Sequence, residues 1–340
     1  MQDIKIIENR SEIGAGTRGA GLGIDAIKTA ALKRGSKYFK GVKRKRVKTE
    51  NALLYSEIAN PFAKHIDGIL RVYQKVSAEI VNTINKENCF PIVLSGDHSS
   101  AGGTIAGIKM AYPDKRLGVI WIDAHADIHS PYTTPSGNVH GMPVCLSLGM
   151  DNMDKKINTV KPETEKLWND LKNLGGICPK ILPEDLVYIG VRSAEEAEEY
   201  LIDKYKIRDI WMRDVTSRGT KALVNHTLKH LKSCDLIYIS FDVDSMDPAY
   251  SSGTGTSVPF GLSIGQAIDL LSRLLESEKV CCFEITEVNP TLDSKNFTAE
   301  NAFIILEKAS EVIREKILRE VPAQATPPAN LKDTGEKTEK

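Results

Sequence analysis

Five short apolar runs constrain this chain more than any other feature: PIVLSG at 91–96, LGVIWID at 117–123, LVYIGV at 186–191, LIYISFDVD at 236–244 and VCCFEIT at 280–286. They are rich in Val and Ile and too continuously apolar for strands with one wet face. They therefore read as strands buried on both sides, the condition of a parallel sheet. Around them apolar residues recur with helical period at 61–86, 264–278 and 298–318. Strand alternating with helix predicts an α/β architecture in which helices cover both faces of a parallel sheet.

A length of 340 residues suits two average domains or one large one. With no internal repeat and no Pro/Gly/Ser linker before the C-terminus, one domain over 1–320 is the simpler expectation. The last stretch, 321–340, carries three prolines and no aromatic residue. It is expected to stay disordered, because it buries too little apolar surface to offset its ordering entropy.

Charge excludes further classes. The 45 Lys and Arg balance 45 Asp and Glu, which argues against a generally basic nucleic-acid binder and against an acidic solvating protein. One local exception, KRKR and its neighbours at 33–48, holds nine Lys or Arg in sixteen positions, and reads as a solvated loop whose charge is offset elsewhere. No apolar run is long enough for a membrane helix, and MQDIKIIENR lacks the apolar core of a signal peptide, so a cytoplasmic protein without membrane or nucleic-acid partners is expected. The six cysteines contain no C-x-x-C spacing and read as reduced thiols, several in core strands.

The chemistry gathers where predicted strands end. Gly96-Asp97-His98-Ser99 follows the first run, Asp123-Ala124-His125-Ala126-Asp127 the second, and Asp242-Val243-Asp244 closes the fourth. In open α/β sheets ligands bind outside the carboxyl ends of the strands. On an extended segment alternate residues point the same way, so Asp123, His125 and Asp127 can converge, as can Asp242 and Asp244. Four gathered carboxylates repel one another unless cations sit among them. Two divalent ions, held by bridging carboxylates at the roughly 3.5–4 Å of two-metal hydrolytic sites, would balance them. Oxygen and imidazole donors without thiolate favour manganese, with cobalt, iron, nickel or zinc as substitutes. By contrast His226 and His230, one helical turn apart without the Glu of H-E-x-x-H, read as a solvated helix face, and His65 as structural.

These residues, together with Gly14-Ala15-Gly16-Thr17-Arg18-Gly19-Ala20, the segment SGNVHGMPV at 136–144, SFDVDSMDP at 240–248 and Glu287-Val288-Asn289-Pro290, resemble the ureohydrolase family, and within it the arginases. The resemblance implies a three-layer α/β/α domain with an eight-stranded parallel sheet and a centre of two Mn2+ ions. His98, Asp123, Asp127 and Asp242 would hold one ion, and His125, Asp123, Asp242 and Asp244 the other, with Asp123 and Asp242 bridging. The implied reaction is hydrolysis of L-arginine to L-ornithine and urea by a metal-bridging hydroxide. A guanidinium is a poor electrophile, so it needs a nucleophile that is strong at neutral pH. Asp127 would orient that nucleophile, His140 would shuttle the proton to the departing nitrogen, and Glu287 would pair with the guanidinium in its plane. A trimeric or hexameric homo-oligomer is implied as well.

For the far end of the substrate, the resemblance points to Ser136, Asn138, Glu195, Glu198 and Thr256, and to His129. Position 129 holds His where arginases carry Asn, and position 195 holds Glu where they carry Asp. His can still donate to a carboxylate, and Glu keeps the charge with one more methylene. Agmatine, 4-guanidinobutyrate and guanidinopropionate remain open as alternative substrates, as does a catalytically silent relative that keeps the fold.

Overall fold

A computed structural model describes residue 1 and residues 3–320; the tail expected to be disordered lies outside them. Eight strands form one all-parallel sheet: β1 Asp3–Asn9, β2 Lys43–Arg46, β3 Cys89–Ser95, β4 Leu117–Ile122, β5 Leu186–Ile189, β6 Arg208–Ile210, β7 Leu236–Asp242 and β8 Val280–Thr286. Their spatial order is β2-β1-β3-β8-β7-β4-β5-β6. The consecutive strands β3 and β4 are thus separated by β8 and β7, and the chain's direction of growth reverses there, which leaves a crevice at the carboxyl ends.

Side-chain alternation divides the core into two layers. Ile4, Ile6, Ile92, Ile120, Ile122 and Ile239 pack beneath helices Gly23–Lys33, Met212–His230, Ile264–Leu275 and Phe297–Glu320. Ile7, Val93, Val119, Trp121, Tyr188 and Tyr238 face helices Ile66–Val81, Ala101–Ala111, Pro162–Lys172 and Glu196–Tyr205. The expected α/β/α sandwich is therefore present, with β3, β4, β5, β7 and β8 buried on both faces as their continuous apolar sequences require. Helix Ile264–Leu275 begins at a capping box, in which Ser263 accepts from the Gln266 N–H and Gln266 accepts from the Ser263 N–H.

Two details differ from expectation. Residues 33–48 are not a loop throughout: Lys43–Arg46 form the edge strand β2, paired in parallel with β1. All four side chains of that strand are exposed, and Arg44 and Arg46 approach buried Glu8, which also holds Lys28 at 2.6 Å. An edge built of cations pairs inward through its backbone while its charges resist a further strand. Helix Ala101–Ala111, AGGTIAGIKMA, has no amphipathic pattern because it is buried on nearly every side. The cysteines are unpaired, five of them buried, and among the described residues no helix is long and apolar enough to cross a membrane.

Candidate metal centre and cleft

The four central strands, adjacent in the order β3-β8-β7-β4, lead at their carboxyl ends into His98, Glu287, Asp242 and Asp123 respectively. After β3, Asp97 caps the turn His98–Ser100 by accepting from the Ser99 N–H at 2.9 Å and also takes the Gly14 N–H at 2.8 Å. The capping role of the Asp in G-D-H is thus real, and it aims His98 inward. The His98 ring stacks on Trp121 of β4, with centroids 4.0 Å apart and planes 9° from parallel. Its Nε2 meets Ser240 Oγ at 2.7 Å.

With Nε2 so engaged, Nδ1 faces Asp123 Oδ2 at 2.9 Å, Asp127 Oδ2 at 3.1 Å and Asp242 Oδ2 at 3.2 Å. None of these oxygens lies where an N–H on Nδ1 would make a hydrogen bond, so this buried nitrogen has no hydrogen-bond partner. The lone pairs of His98 Nδ1, Asp123 and Asp127, with all three donor atoms within 4.8 Å of one another, suit a cation better than a shared proton. Beside this group, His125 Nδ1 lies 3.1 Å from Asp244 Oδ2 and 3.5 Å from Asp123 Oδ1. The two tight groupings are His98–Asp123–Asp127 and Asp123–His125–Asp244, with Asp123 common to both. Asp242 reaches the first through Oδ2, while its Oδ1 accepts the Asp244 N–H at 2.8 Å.

The convergence has a different cause from the extended alternation expected of D-x-H-x-D. The chain bends directly after β4, and Asp127 turns inward through a left-handed backbone, φ 50°. Glu287, after β8, is left-handed too, φ 64°. Each such residue costs on the order of 1–3 kcal/mol, and such strain clusters at functional sites.

Burial penalises charge throughout this cluster. It pushes Asp127 and Asp244 up to about 6, each reinforced by Asp123, and raises Asp242 well above the carboxylate range with Asp244 and Asp123 adding to it. Burial also opposes protonation of the two histidines, but the facing carboxylates outweigh it, raising His98 strongly and His125 to about 12. A cluster that must borrow protons to stay near neutrality is one whose protons divalent cations would displace. The donor set, two imidazoles and four carboxylates without thiolate, fits such ions.

Glu287 Oε1 accepts the His98 N–H at 2.9 Å and lies 3.1 Å from His140 Nδ1. Burial would lower His140, yet the Glu287 carboxylate raises it to about 9. Among the described residues Glu287 Oε2 accepts no hydrogen bond and stays available.

Over this floor opens a cleft lined by His98, His125, Asp127, His129, Ser136, Asn138, His140, Glu195, Glu198, Asp242, Asp244, Thr256 and Glu287 among others. Every predicted site residue borders it except Asp123, which is 1% exposed and lies beneath. Their engagements differ. Thr256 donates to Asp244 Oδ2 at 3.1 Å. Glu198 accepts the backbone N–H groups of Ile128 at 3.2 Å and Glu195 at 3.0 Å, and burial raises it to about 7. It therefore ties helix Glu196–Tyr205 to the loop after β4. His129 Nδ1 meets Thr133 Oγ1 at 3.1 Å, while its buried Nε2, 3.3 Å from Glu195 Oε2, has no hydrogen-bond partner among the described residues, and burial lowers its pKa.

Sequence reasoning missed Arg192. Its guanidinium donates to the carbonyls of Val258 at 2.7 Å, Asp244 at 2.8 Å, Pro259 at 2.9 Å and Gly190 at 3.1 Å, clasping the segments that carry Asp244 and Thr256. No spacing signal marks such a clamp, because three of these four carbonyls lie more than fifty residues away in sequence. His226 and His230 lie exposed on helix Met212–His230, and His65 heads helix Ile66–Val81; none joins the cluster.

Together the fold and this cleft set an acid–imidazole cluster next to a carboxylate–imidazole pair. The Arginase family model matches residues 2–310. The arginase of Bacillus subtilis (strain 168) is 37% identical over 244 residues, 72% of this chain and 76% of that protein. A crystal structure of an arginase from Bacillus subtilis superposes with a TM-score of 0.73 at 33% identity, covering 91% of this chain and 98% of that one. The Entamoeba histolytica arginase in complex with L-ornithine superposes with a TM-score of 0.78 at 27% identity, covering 92% and 98%. The chain belongs to the arginase family and is a hydrolase acting on the C–N bond of a guanidino group.

Proposed function

We propose that the protein hydrolyses L-arginine to L-ornithine and urea with two Mn2+ ions per chain. The observation that carries this reading is His98 Nδ1, buried without a hydrogen-bond partner and facing three carboxylate oxygens, one of them from the Asp123 that it shares with the His125–Asp244 group. His98, Asp123, Asp127 and Asp242 would hold one ion, and His125, Asp123, Asp242 and Asp244 the other. When bound, the ions supply a nucleophile at neutral pH by lowering the pKa of water.

The chain's own residues do the rest. Glu287 Oε2 accepts a guanidinium N–H and so places the guanidinium carbon above the cluster. Asp127, held in its left-handed turn, accepts a hydrogen bond from the attacking oxygen and orients it. His140, kept protonated by Glu287, delivers a proton to the nitrogen that leaves as ornithine's amine. Arg192 preserves the position of Asp244 and Thr256 throughout.

The proposed substrate rests on the far wall, where Ser136 and Asn138 offer donors and Glu195 a carboxylate. The hold of Thr133 on His129 Nδ1, with Nε2 turned to the Glu195 carboxylate, favours a second reading, in which that residue contributes little to a substrate carboxylate and agmatine is preferred. Urea release from manganese-loaded protein offered L-arginine, agmatine, 4-guanidinobutyrate and guanidinopropionate separates these. Release from arginine above the others supports the reading, and no urea from any of them defeats it.

A further inference from the structure

Asn138 borders the cleft but is not free to turn. Its Oδ1 accepts a hydrogen bond from Lys64 Nζ at 3.0 Å. An ammonium can only donate, so the side-chain amide has one orientation compatible with that contact, carbonyl oxygen towards Lys64 and NH2 away from it. The NH2 lies against Gly16, where an added Cβ would stand 2.6 Å from Nδ2, and among the described residues it finds no acceptor. A second tie fixes the pair, since the Lys64 N–H donates to Gly137 O at 2.8 Å. Gly137 adopts φ 74° and passes so close to Pro61 O that no side chain fits there.

Charge points the same way. Lys64 is half-buried and forms no ion pair among the described residues, while Asp67 on the following turn is already held by Arg71 at 3.0 Å. Burial lowers the pKa of His65, and Arg18 and Lys64 lower it further against the opposing pull of Asp67. Next to Asn138, Ser136 Oγ accepts the Asn138 N–H at 3.2 Å, which leaves its own hydroxyl proton to donate. The cleft lining also carries Glu195 and Glu198. Donors and positive charge thus gather around Asn138, carboxylates around Glu195.

We propose that Lys64 sets substrate choice: by holding the carbonyl end of Asn138 it keeps the amide N–H donors free for a ligand and adds positive charge behind them, so that the site selects guanidino compounds whose far end bears a carboxylate. This rests on the guanidino hydrolysis proposed above. Lys64 is a positioning residue, acting through Asn138 and through its field.

The test compares kcat/KM for L-arginine and for agmatine, which lacks the carboxylate, in the manganese-loaded wild type, Lys64→Met and Lys64→Arg. A charge-assisted contact of this kind is worth roughly 10- to 100-fold. The arginine-to-agmatine ratio should fall by that factor in Lys64→Met, mainly through the KM for arginine, and Lys64→Arg should recover most of it. A general folding defect would depress both substrates together and leave the ratio where it was. An unchanged ratio in Lys64→Met with hydrolysis intact overturns the role of Lys64 alone. No hydrolysis of either substrate by the wild type overturns the proposed reaction, and this inference with it.

Discussion

Replacing Arg192 by Met tests whether the second half of the cluster is held in place by a clamp far from the chemistry. The guanidinium makes four contacts of 3.1 Å or less with the carbonyls of Val258, Asp244, Pro259 and Gly190. A hydrogen bond to a charged group contributes about 1.5–3 kcal/mol, but four from one group overlap heavily. Losing them together while leaving buried carbonyls unpaired should cost about 3 kcal/mol. At an unfolding entropy of about 2.1 cal/mol/K per residue, a chain of this length should melt about 4–5 °C lower. Because Asp244 and Thr256 ride on the released segments, the defect should also appear as lost metal, measured by elemental analysis after dialysis against a weak chelator. Calorimetry and metal content are read on the same sample. A variant that melts within about 1 °C of wild type and keeps its full metal complement would refute the clamp.

Other expectations follow from the same geometry. Asp127→Asn or His125→Ala should lower metal content or urea production by orders of magnitude, whereas His226→Ala, on an exposed helix face, should match wild type in both assays. Ser240→Ala removes the partner of His98 Nε2 and should weaken cation affinity by roughly 10- to 100-fold in a competitive chelator titration. The His140–Glu287 pair predicts a pH signature. Because His140 is raised from 6.5 to about 9, its stabilising contribution is complete below pH 6.5 and is lost as pH climbs through 9. Glu287→Gln should flatten the fall in urea-unfolding midpoint across that window in metal-free protein; an equally steep fall would show that another group titrates there.

What the sequence reveals follows from where each signal resides. Strands β3, β4, β5, β7 and β8 lie inside the sheet, so their own Val and Ile announce them. The three that escape notice have reasons of their own. In β1, Lys5 interrupts the apolar run and is buried only because Glu79 and Glu87 pair with it. The edge strand β2 is all Lys and Arg and owes its form to backbone pairing with β1, and β6 is three residues at the opposite edge. The site residues are legible because strand ends and ligating side chains coincide in the sequence. The stacking of His98 on Trp121, the clasp of Arg192 and the hold of Lys64 on Asn138 join residues distant in the chain, and no local pattern encodes them.

The order of strands along the sheet also divides labour. The candidate ligands and Glu287 all spring from the inner quartet β3, β8, β7 and β4, whereas Glu195 and Glu198 follow β5, and Ser136 and Asn138 belong to a long excursion after β4. Remodelling those outer segments, His140 of the same excursion apart, can retune which molecules are admitted while the candidate ligands stay in place. A lineage built on this plan could drift between related nitrogen-rich nutrients by editing its rim alone.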